Sequence, residues 1–485
     1  MRRSPAVGAG VFGVALTLLL VRFLVPRPVS MSDNGDGFRV LCGAGITWTS
    51  KPLPHTQLLY AATPQGCSPT YQLSQSWLAR AAVWLGDAFG LHSALSLVVL
   101  GVLACVIAAA AVALVVVGLP YGFRVRALVG AGLLLVVADS AFFGYFSSIL
   151  GEGTAFLGLL LCVGGLLLIA RPGRWCYAGL AVTAVGGLLA VNAKVQTLMI
   201  LPLLIIAALL VRPGVRARWL PGLCLAVVLA GGTWWAQTSV APAVAPDGTI
   251  SARPGDDSRE INVVNTVFLN IVDGRHDSAA DLASLGLPAS FAQYAGNGWW
   301  HPHPVTVDPA YAQYRPRLSR RAVATWFATH PDRTLAILHR AAGDLLTARP
   351  DYLASFDAAS GRPDGAQEYR VPVWSTLTRL LAPLGLFALG PVWLFLGWRS
   401  WRHRRTAVGV VLALLLTTAL GQFVLAALGD GIENVKHQVI ALFCTLVALV
   451  LSCCPRPKPG AGGSPRSARH SEPADAPPRA TSAGT

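Results

Sequence analysis

The sequence predicts an all-α integral membrane protein with about ten transmembrane helices, amphipathic helices on its outer face and one long extracytoplasmic loop. Composition is the first observation behind this fold class. Hydrophobic residues make up 54% of the chain and charged residues only 13%, which is too little charge to cover a soluble protein. The other two observations are long apolar runs that recur along the chain and arginines in every second connection between them.

The net charge of +15 raises the question of a nucleic-acid partner. The basic residues, however, lie mainly in short loops between apolar runs, which is the pattern of a membrane protein. We therefore expect membrane lipids as partners and no nucleic acid. The first apolar run is expected to be a span rather than a signal peptide, because no small-residue cleavage site precedes Arg27.

Each helix that crosses the hydrocarbon core needs roughly 20 apolar residues. The segments that approach this length and composition are 6–26, 94–119, 127–143, 154–170, 177–191, 198–211, 220–240, 374–398, 408–428 and 438–454. Segment 71–89 has apolar positions at helical spacing between polar ones, so we expect it to be an amphipathic helix lying on the membrane interface.

The positions of the basic residues predict the orientation of the spans. They precede the first span and follow the second, fourth, sixth, eighth and tenth, at Arg2, Arg3, Arg124, Arg126, Arg171, Arg174, Arg212, Arg216, Arg218, Arg399, Arg402, Arg404, Arg405, Arg456 and Lys458. These connections all lie in the cytoplasm only if the number of spans is even. We expect a multi-pass protein of the cell membrane with both termini in the cytoplasm and the remaining connections, with any active site, outside.

This orientation divides the chain into four parts. They are an N-terminal transmembrane module at 1–240 with its first outer loop at 27–91, a long extracytoplasmic loop at 241–373, C-terminal transmembrane helices at 374–454, and a cytoplasmic tail at 455–485. The tail consists largely of Pro, Gly, Ser, Ala and Arg, a composition typical of disorder.

Three carboxylates lie where the chain is expected to leave the lipid on the outer side. Asp33 and Asp36 belong to the stretch Ser-Asp-Asn-Gly-Asp-Gly-Phe-Arg at 32–39. A carboxylate held there can act as a general base towards a hydroxyl group, although an Asx-Gly turn explains the same residues. Glu152 stands between two glycines at the outer end of the fourth span, where an acidic group is costly unless it is used or paired. The alternative is a carboxylate that favours the helix dipole.

Lysine is rare in this chain and occurs only at positions 51, 194, 436 and 458. Lys194 and Lys436 lie at outer ends of predicted spans, and His437 follows the second of them. Compact ammonium groups at the edge of the bilayer suit a lipid phosphate, whereas the alternative is that they only snorkel to the interface. Arg39 belongs to the same basic rim.

Cys42 and Cys67 are the only cysteines in the predicted outer loops, so they are candidates for a disulfide, with two free thiols as the alternative. His301 and His303 have no third ligand near them in the sequence, and we interpret them as loop residues. No metal site is therefore predicted, and the need for a divalent metal cofactor stays open.

In their order along the chain, these stretches resemble the GT-C glycosyltransferases, and within them the WsfD-like hexose transferases of bacterial surface-glycan biosynthesis. Asn34-Gly35-Asp36 before Phe38 and Arg39 is similar to the family's Asn-Gly-Asp-Phe-Gly-Arg, with Gly and Phe exchanged. The run at 145–152 is similar to Tyr-Phe-Asn-Ser-Phe-Tyr-x-Glu, with serine at 147 in place of asparagine. The family's pattern before the last span is similar to Asp430-Gly431 with Lys436-His437.

The resemblance implies an inverting transfer of a hexose from a polyprenyl-phosphate donor to a glycan or glycolipid acceptor on the outer face. It implies Asp36 as the base, Glu152 as a second acidic site residue, and Lys194, Lys436 and His437 as contacts of the donor phosphate. Two other classes of function remain open. One is a transporter or flippase for a lipid-linked glycan, and the other is a noncatalytic scaffold of a surface-polymer assembly complex.

Overall fold

The computed structural model of the chain describes residues 4–46, 52–62, 72–213, 219–239 and 256–455. Its described residues up to Cys454 form one compact unit. In chain order the α-helices are α1 Ser4–Leu24, α2 Phe38–Ala44, α3 Ser74–Ala88, α4 Leu97–Gly118, α5 Phe123–Ala138, α6 Glu152–Ile169, α7 Arg174–Val191, α8 Ile200–Leu210, α9 Leu220–Thr238, α10 Asp256–Asn265, α11 Ser278–Ser284, α12 Tyr311–Tyr314, α13 Arg320–Thr329, α14 Pro331–Thr347, α15 Val373–Leu381, α16 Leu386–His403, α17 Ala407–Gly429, α18 Asn434–His437 and α19 Val439–Ser452.

Shorter elements join these helices. A π-helix occupies Thr266–Ile271, and 3₁₀ turns occupy Phe143–Ser147, Val195–Met199, Ala289–Tyr294, Val305–Val307, Arg315–Arg317, Ala358–Ser360 and Ala382–Leu384. The strands β1 Leu59–Tyr60 and β2 Leu95–Ser96 pair antiparallel, with Leu59 opposite Ser96. The predicted all-α class is confirmed.

Every predicted span corresponds to a helix, but not every helix has the length of a full span. Among the described residues, six helices are long and apolar enough to cross a membrane, namely α1, α4, α6, α7, α9 and α17, and a bent pair makes a seventh if it counts as one span. The apolar helices Val195–Leu210 and Val439–Ser452 are shorter, and α5 has 16 residues. Among the described residues, fewer helices therefore have the length of a full span than the ten segments predicted, because some of the apolar runs include residues that belong to turns.

The predicted span 374–398 is not one straight helix. The chain bends by 117° between α15 and α16. Pro383 lies at the break and has no backbone N–H to continue the helix, and Gly385 takes a left-handed φ of 49°. The separate helix α15 is amphipathic and exposes Val373, Leu377 and Leu380, which follow one another at helical spacing.

The helix α6 forms the centre of the unit, and all of its residues are buried. Close contact with α7 depends on small residues: a Cβ atom at Gly158 would lie 2.5 Å from the carbonyl oxygen of Gly186. Near the start of α6, Phe156 stacks on Phe443 of α19 with ring centroids 4.5 Å apart. Helices from both halves of the chain therefore pack around the N-terminal end of α6, where Glu152 lies.

The predicted amphipathic helix 71–89 is present as α3, and Tyr71 lies outside the described residues. Its first turn is polar but buried: Ser74 Oγ donates to Leu189 O at 2.7 Å, and Gln75 Nε2 donates to Ser148 O at 2.7 Å. Its far end exposes Trp84. These hydrogen bonds connect the segment between α1 and α4 to the ends of α6 and α7.

The described part of the long loop, from residue 256 onwards, has a hydrophobic cluster of its own around Phe268, Phe291 and Trp326. Its π-helix reaches the last long helix, because Asn270 Nδ2 donates to Ala427 O of α17 at 2.9 Å. The predicted loop residues 241–255 and the predicted tail residues 456–485 lie outside the described part of the chain.

Candidate active site

The turn that follows α1 is built around the side chain of Asp33. Its Oδ1 accepts hydrogen bonds from the backbone N–H groups of Gly35 at 2.9 Å and Gly37 at 2.8 Å, which makes an Asx turn. Gly35 has a φ of 102°, and a Cβ atom at Gly37 would overlap Ile149. Asp33 is itself buried. The geometry gives Asp33 a turn-forming role, and its predicted catalytic role stays a prediction.

The turn presents Asp36, whose two carboxylate oxygens each have a cationic partner. Arg39 Nη1 donates to Oδ1 at 2.9 Å, and Lys436 Nζ donates to Oδ2 at 2.6 Å. The side chain of Asp36 is 39% exposed, whereas that of Lys436 is fully buried. The connection that follows α1 and the connection that follows α17 therefore meet at this ion pair.

Glu433 completes the cluster and was not singled out from the sequence. It accepts from Lys436 Nζ, and both of its oxygens accept from Asn34 Nδ2, at 2.8 and 3.0 Å. Its φ of 51° is left-handed, which is strained for a residue with a side chain and is common at functional sites. The sequence did offer one signal for Glu433, because a carboxylate three residues before a lysine can pair with it on a helix. Its second partner, Asn34, is distant in the chain and could not be identified from the sequence.

A second acid–base pair lies between the ends of α6 and α7. Lys194 Nζ donates to Glu152 Oε1 at 2.6 Å, and Glu152 is almost wholly buried. The glycines on either side of Glu152 permit close contacts with backbone: a Cβ atom at Gly151 would overlap the carbonyl oxygen of Ala193, and one at Gly153 would lie 2.5 Å from that of Tyr145. Glu152 is therefore paired and also begins a helix, and its predicted role as a site residue stays a prediction.

The two pairs lie within electrostatic range of each other. Burial alone would raise the pKa of the Asp36 carboxyl, but the positive charges of Lys436, Lys194 and Arg39 hold that pKa well below its usual range. Burial alone would lower the pKa of Lys436, yet Asp36, Glu433 and Glu152 raise it above its usual range. Asp36 and Lys436 therefore both carry their charges at neutral pH.

Asp430 and His437 lie beside this cluster. Asn265 Nδ2 donates to Asp430 Oδ1 at 3.0 Å, and His437 Nδ1 lies 3.5 Å from Asp430 Oδ2. Burial raises the pKa of Asp430 to about 6. Burial, followed by the charges of Lys194 and Lys436, lowers the pKa of His437 well below its usual value. At neutral pH His437 is an uncharged imidazole that can donate one hydrogen bond, and its predicted contact with a phosphate stays a prediction.

Glu433, which pairs with Lys436, also lines a cavity of about 730 Å³. This volume falls in the range of small-molecule sites, which is roughly 300–1,000 Å³. The segments that line it are the end of α14 with the chain up to Tyr369, the helix α15, and the connection from Gly431 to Val435. Glu433 is thus placed between the cavity and the Asp36–Lys436 pair.

The remaining predicted features can be placed only in part. Cys42 is disulfide-bonded, and Cys67, its predicted partner, lies outside the described residues. The described residues contain no group of three or more His, Cys, Asp or Glu side chains arranged to hold a metal ion. Four predicted site residues, Asp36, Glu152, Lys194 and Lys436, come together at one end of the α6 bundle, with Arg39 and His437 at its edge.

A family model described as the YfdI N-terminal transmembrane domain matches residues 2–454. The chain belongs to this family. Together with the apolar helices, the match makes this YfdI-family chain a multi-pass membrane protein. A comparison with curated proteins finds no match.

Among solved structures, the YfdI-family chain is similar to the oligosaccharyltransferase of Archaeoglobus fulgidus, crystallised with an acceptor peptide tethered through a disulfide bond. The identity is 14% and the TM-score 0.38, over 92% of this chain and 49% of that enzyme. The chain therefore spans about half the length of that enzyme.

Proposed function

We propose that the protein is a membrane glycosyltransferase of the GT-C type, related to the WsfD-like hexose transferases. It transfers a hexose from a polyprenyl-phosphate donor to a glycan or glycolipid acceptor at the outer face of the cell membrane, with both termini in the cytoplasm. One observation carries the proposal: Asp36, a partly exposed carboxylate, is held 2.6 Å from the buried ammonium group of Lys436. The same ammonium group also pairs with Glu433, which lines a ligand-sized cavity.

The reaction we propose is a single displacement at the anomeric carbon of the sugar. The acceptor oxygen forms a bond to that carbon while the bond to the phosphate oxygen breaks, and the phosphate leaves with the electron pair. Asp36 takes the proton of the acceptor hydroxyl. Because the acceptor attacks opposite the leaving group, the configuration of the sugar is inverted. The phosphate is already a good leaving group, so the site has to stabilise its charge rather than protonate it.

The electrostatics of the cluster explain how a carboxylate with a low pKa can serve as this base. In the structure, Lys436 and Arg39 both bind Asp36 and weaken its basicity. An incoming phosphate carries negative charge and competes for the positive charge of Lys436 and Lys194. Asp36 then becomes a stronger base only when the donor is bound, which limits proton transfer to the occupied site.

The other charged residues of the cluster take supporting roles in this proposal. Glu152 holds Lys194 in place, and Glu433 holds Lys436. The two lysines and His437 stabilise the developing charge of the phosphate from one side of the site. No metal is needed in this scheme, because fixed cations supply the positive charge.

A donor screen tests the proposal. Purified protein in lipid nanodiscs would receive several polyprenyl-phosphate hexoses and pentoses with a glycan acceptor, each with and without a chelator. We expect transfer from at least one hexose donor, with no effect of the chelator. A failure of every donor to react, combined with uptake of lipid-linked glycan into liposomes that contain the protein, would identify a transporter instead.

A further inference from the structure

A second cavity lies in the described part of the long loop and shares no lining residue with the cavity beside Glu433. Its volume of about 370 Å³ is in the range of small-molecule sites. The end of α11 and the helix α13 line it, and its polar lining residues are Ser284, Ser319, Arg321, Thr325, Thr329 and His330. These residues of the described chain supply hydroxyl groups and a cation but no carboxylate. Such a lining suits a ligand that is rich in oxygen and carries negative charge.

Trp326 also lines this cavity and has an unused hydrogen-bond donor. It is only 2% exposed, and its indole Nε1 has no hydrogen-bond partner within the described ranges. His330 stacks on the same ring with centroids 4.4 Å apart, and its Nδ1 lies 2.9 Å from the carbonyl oxygen of Trp326. Because that oxygen can only accept, Nδ1 carries a proton, and Nε2 of the neutral ring is an acceptor. Buried polar groups are normally hydrogen-bonded, so the orphan indole N–H indicates a ligand with hydroxyl groups.

The start of α13 adds positive charge at the cavity. Ser319 caps this helix, since its Oγ accepts from the backbone N–H of Ala322 at 3.2 Å. The N–H groups of the two residues between them have no acceptor inside the helix. Those residues are Arg320 and Arg321, whose exposed side chains form no hydrogen bond or ion pair with the part of the chain that the structure describes. A helix N-terminus beside two unpaired guanidinium groups attracts an anion.

The sequence around α13 is basic over a longer stretch. Segment 315–321 contains four arginines, and no Asp or Glu lies between Asp308 and Asp332. One of the four, Arg315, is paired with Glu260. Arginine accumulates in short cytoplasmic connections, but this long loop is proposed to lie outside, so that rule does not account for the charge. A basic surface of this kind raises the local concentration of anionic partners.

The surroundings of the cavity favour a saccharide over a lipid. In the described chain from 256 to 347, the large apolar side chains that are exposed belong to Trp300, Val307 and Leu335, and none of them lines the cavity. A surface that binds lipid places exposed apolar residues next to its basic ones. A saccharide needs hydrogen-bonding groups instead, which this cavity has.

The part of the loop that contains the cavity is fastened to the candidate active site. Arg333, three residues after His330, donates from Nη2 to the carbonyl oxygen of Ile271 at 3.0 Å. Ile271 ends the π-helix, and Asn265, directly before that helix, donates to Asp430 at 3.0 Å. A ligand in the cavity is therefore attached to the same unit of the protein as Asp430.

We propose that this cavity binds an acidic saccharide, with its anionic groups on Arg320, Arg321 and the start of α13 and its hydroxyls against Trp326 and His330. It is a second, noncatalytic site for the acceptor glycan, and it raises the effective concentration of the acceptor end at the active site. The inference rests on the proposed function only for calling the glycan an acceptor. Binding of the saccharide can be tested without any transfer.

The test compares two probes that share a sugar backbone and differ in charge, tetragalacturonate and its methyl ester. Purified full-length protein in phosphatidylcholine nanodiscs would be titrated with each by isothermal titration calorimetry. We expect the acid to bind at least tenfold more tightly than the ester, which is about 1.4 kcal/mol, and its affinity to fall as salt is added. Arg321→Gln removes most of the difference between the probes.

Two further variants show where the probes bind. Thr325→Val keeps the shape of a lining side chain but removes its hydroxyl, so we expect it to weaken both probes alike. Arg362→Gln, a change of an exposed arginine that lines neither cavity, binds both probes as the wild type does. An equal loss in Arg362→Gln and Arg321→Gln would show unspecific attraction and overturn the site.

The remaining outcomes separate this inference from the proposed function. No binding of tetragalacturonate, or unchanged binding in Arg321→Gln, would overturn the site and leave a transferase that transfers sugar standing. Displacement of the probe by an equal concentration of inorganic phosphate, or by phosphatidylglycerol in the nanodisc, would refute a saccharide ligand. Binding that depends on Arg321, without transfer from any donor, would support the site and refute the transferase.

Discussion

Asp36 and Lys436 are 400 residues apart in the chain and 2.6 Å apart in the structure. The contact joins the turn after α1 to the segment before α19. The site therefore forms only when the first and the last helices of the chain are packed together. Lys436 is fully buried and has two carboxylate partners, Asp36 and Glu433. The buried ammonium group of Lys436 fixes the position of the Asp36 side chain and keeps its carboxylate ionised.

Asp36→Asn tests the proposed base. The amide oxygen can still accept from Lys436, so the fold should be kept, but the side chain can no longer take a proton. We expect the initial rate of sugar transfer to fall by about 10²-fold or more, the usual contribution of a general base. Asp364→Asn, a change at a carboxylate that is 81% exposed, serves as the control. A variant at position 36 that folds and keeps its full rate would show that another group takes the proton.

Lys436→Met tests the electrostatic balance of the cluster. The variant leaves Asp36 and Glu433 close together without their shared cation, and breaking a buried pair in this way costs about 3–5 kcal/mol. Because Asp36 is partly exposed, we expect the lower end of that range. Thermal unfolding in detergent measures the loss. The double variant Lys436→Met with Asp36→Asn should recover part of it, and a purely additive effect would show that the two residues do not interact.

The sequence allowed a good prediction of which residues lie at the ends of helices and a poor one of which of these residues contact each other. Apolar length and basic connections indicated which residues lie at helix ends, and Asp36, Glu152, Lys194 and Lys436 do lie together there. Which acid meets which lysine depends on how the helices pack, and that information is spread over the whole chain. Glu433 was overlooked for this reason, since its partner Asn34 lies 399 residues earlier in the chain, in the turn after α1.

The break between α15 and α16 was missed for a different reason. Segment 374–398 is apolar enough for one span, so its overall hydropathy concealed Pro383 and Gly385. Apolar composition measures affinity for lipid, whereas a bend depends on one missing N–H group and one left-handed residue. The predicted helix 71–89 raised no such conflict, because its apolar and polar positions keep a regular helical spacing.

Gly37→Ala tests whether the turn has to be as tight as it is. A Cβ atom at this position would overlap Ile149 and lie 2.9 Å from Asp33 Cγ. Relief of such a clash costs about 1–3 kcal/mol of stability and displaces Asp36. We therefore expect a lower kcat in a variant that still folds. Gly390→Ala, where a Cβ atom has nothing within 4 Å, is the matched control. Equal activity of the two variants would mean that the turn can widen without moving Asp36.

Asp430→Asn tests the effect of a buried carboxyl on pH-dependent stability. Burial raises the pKa of Asp430 to about 6, from an ordinary value of 3.8. The folded protein therefore binds this proton more tightly than the unfolded chain does. The stabilisation that the proton provides is complete below pH 3.8 and is lost as the pH rises through about 6.

The asparagine variant lacks this titration but keeps an oxygen for the hydrogen bond from Asn265. We expect the difference in stability between the variant and the wild type to be small near pH 4, to grow in favour of the variant as the pH rises, and to level off above pH 6 at about 3 kcal/mol at most. Thermal unfolding of both proteins across this range measures it. Taking the difference cancels the titration of every group whose pKa does not depend on Asp430. A difference that does not change with pH would mean that Asp430 titrates in the fold as it does in the unfolded chain, and that the hydrogen bond from Asn265 and the nearby lysines fully offset its burial.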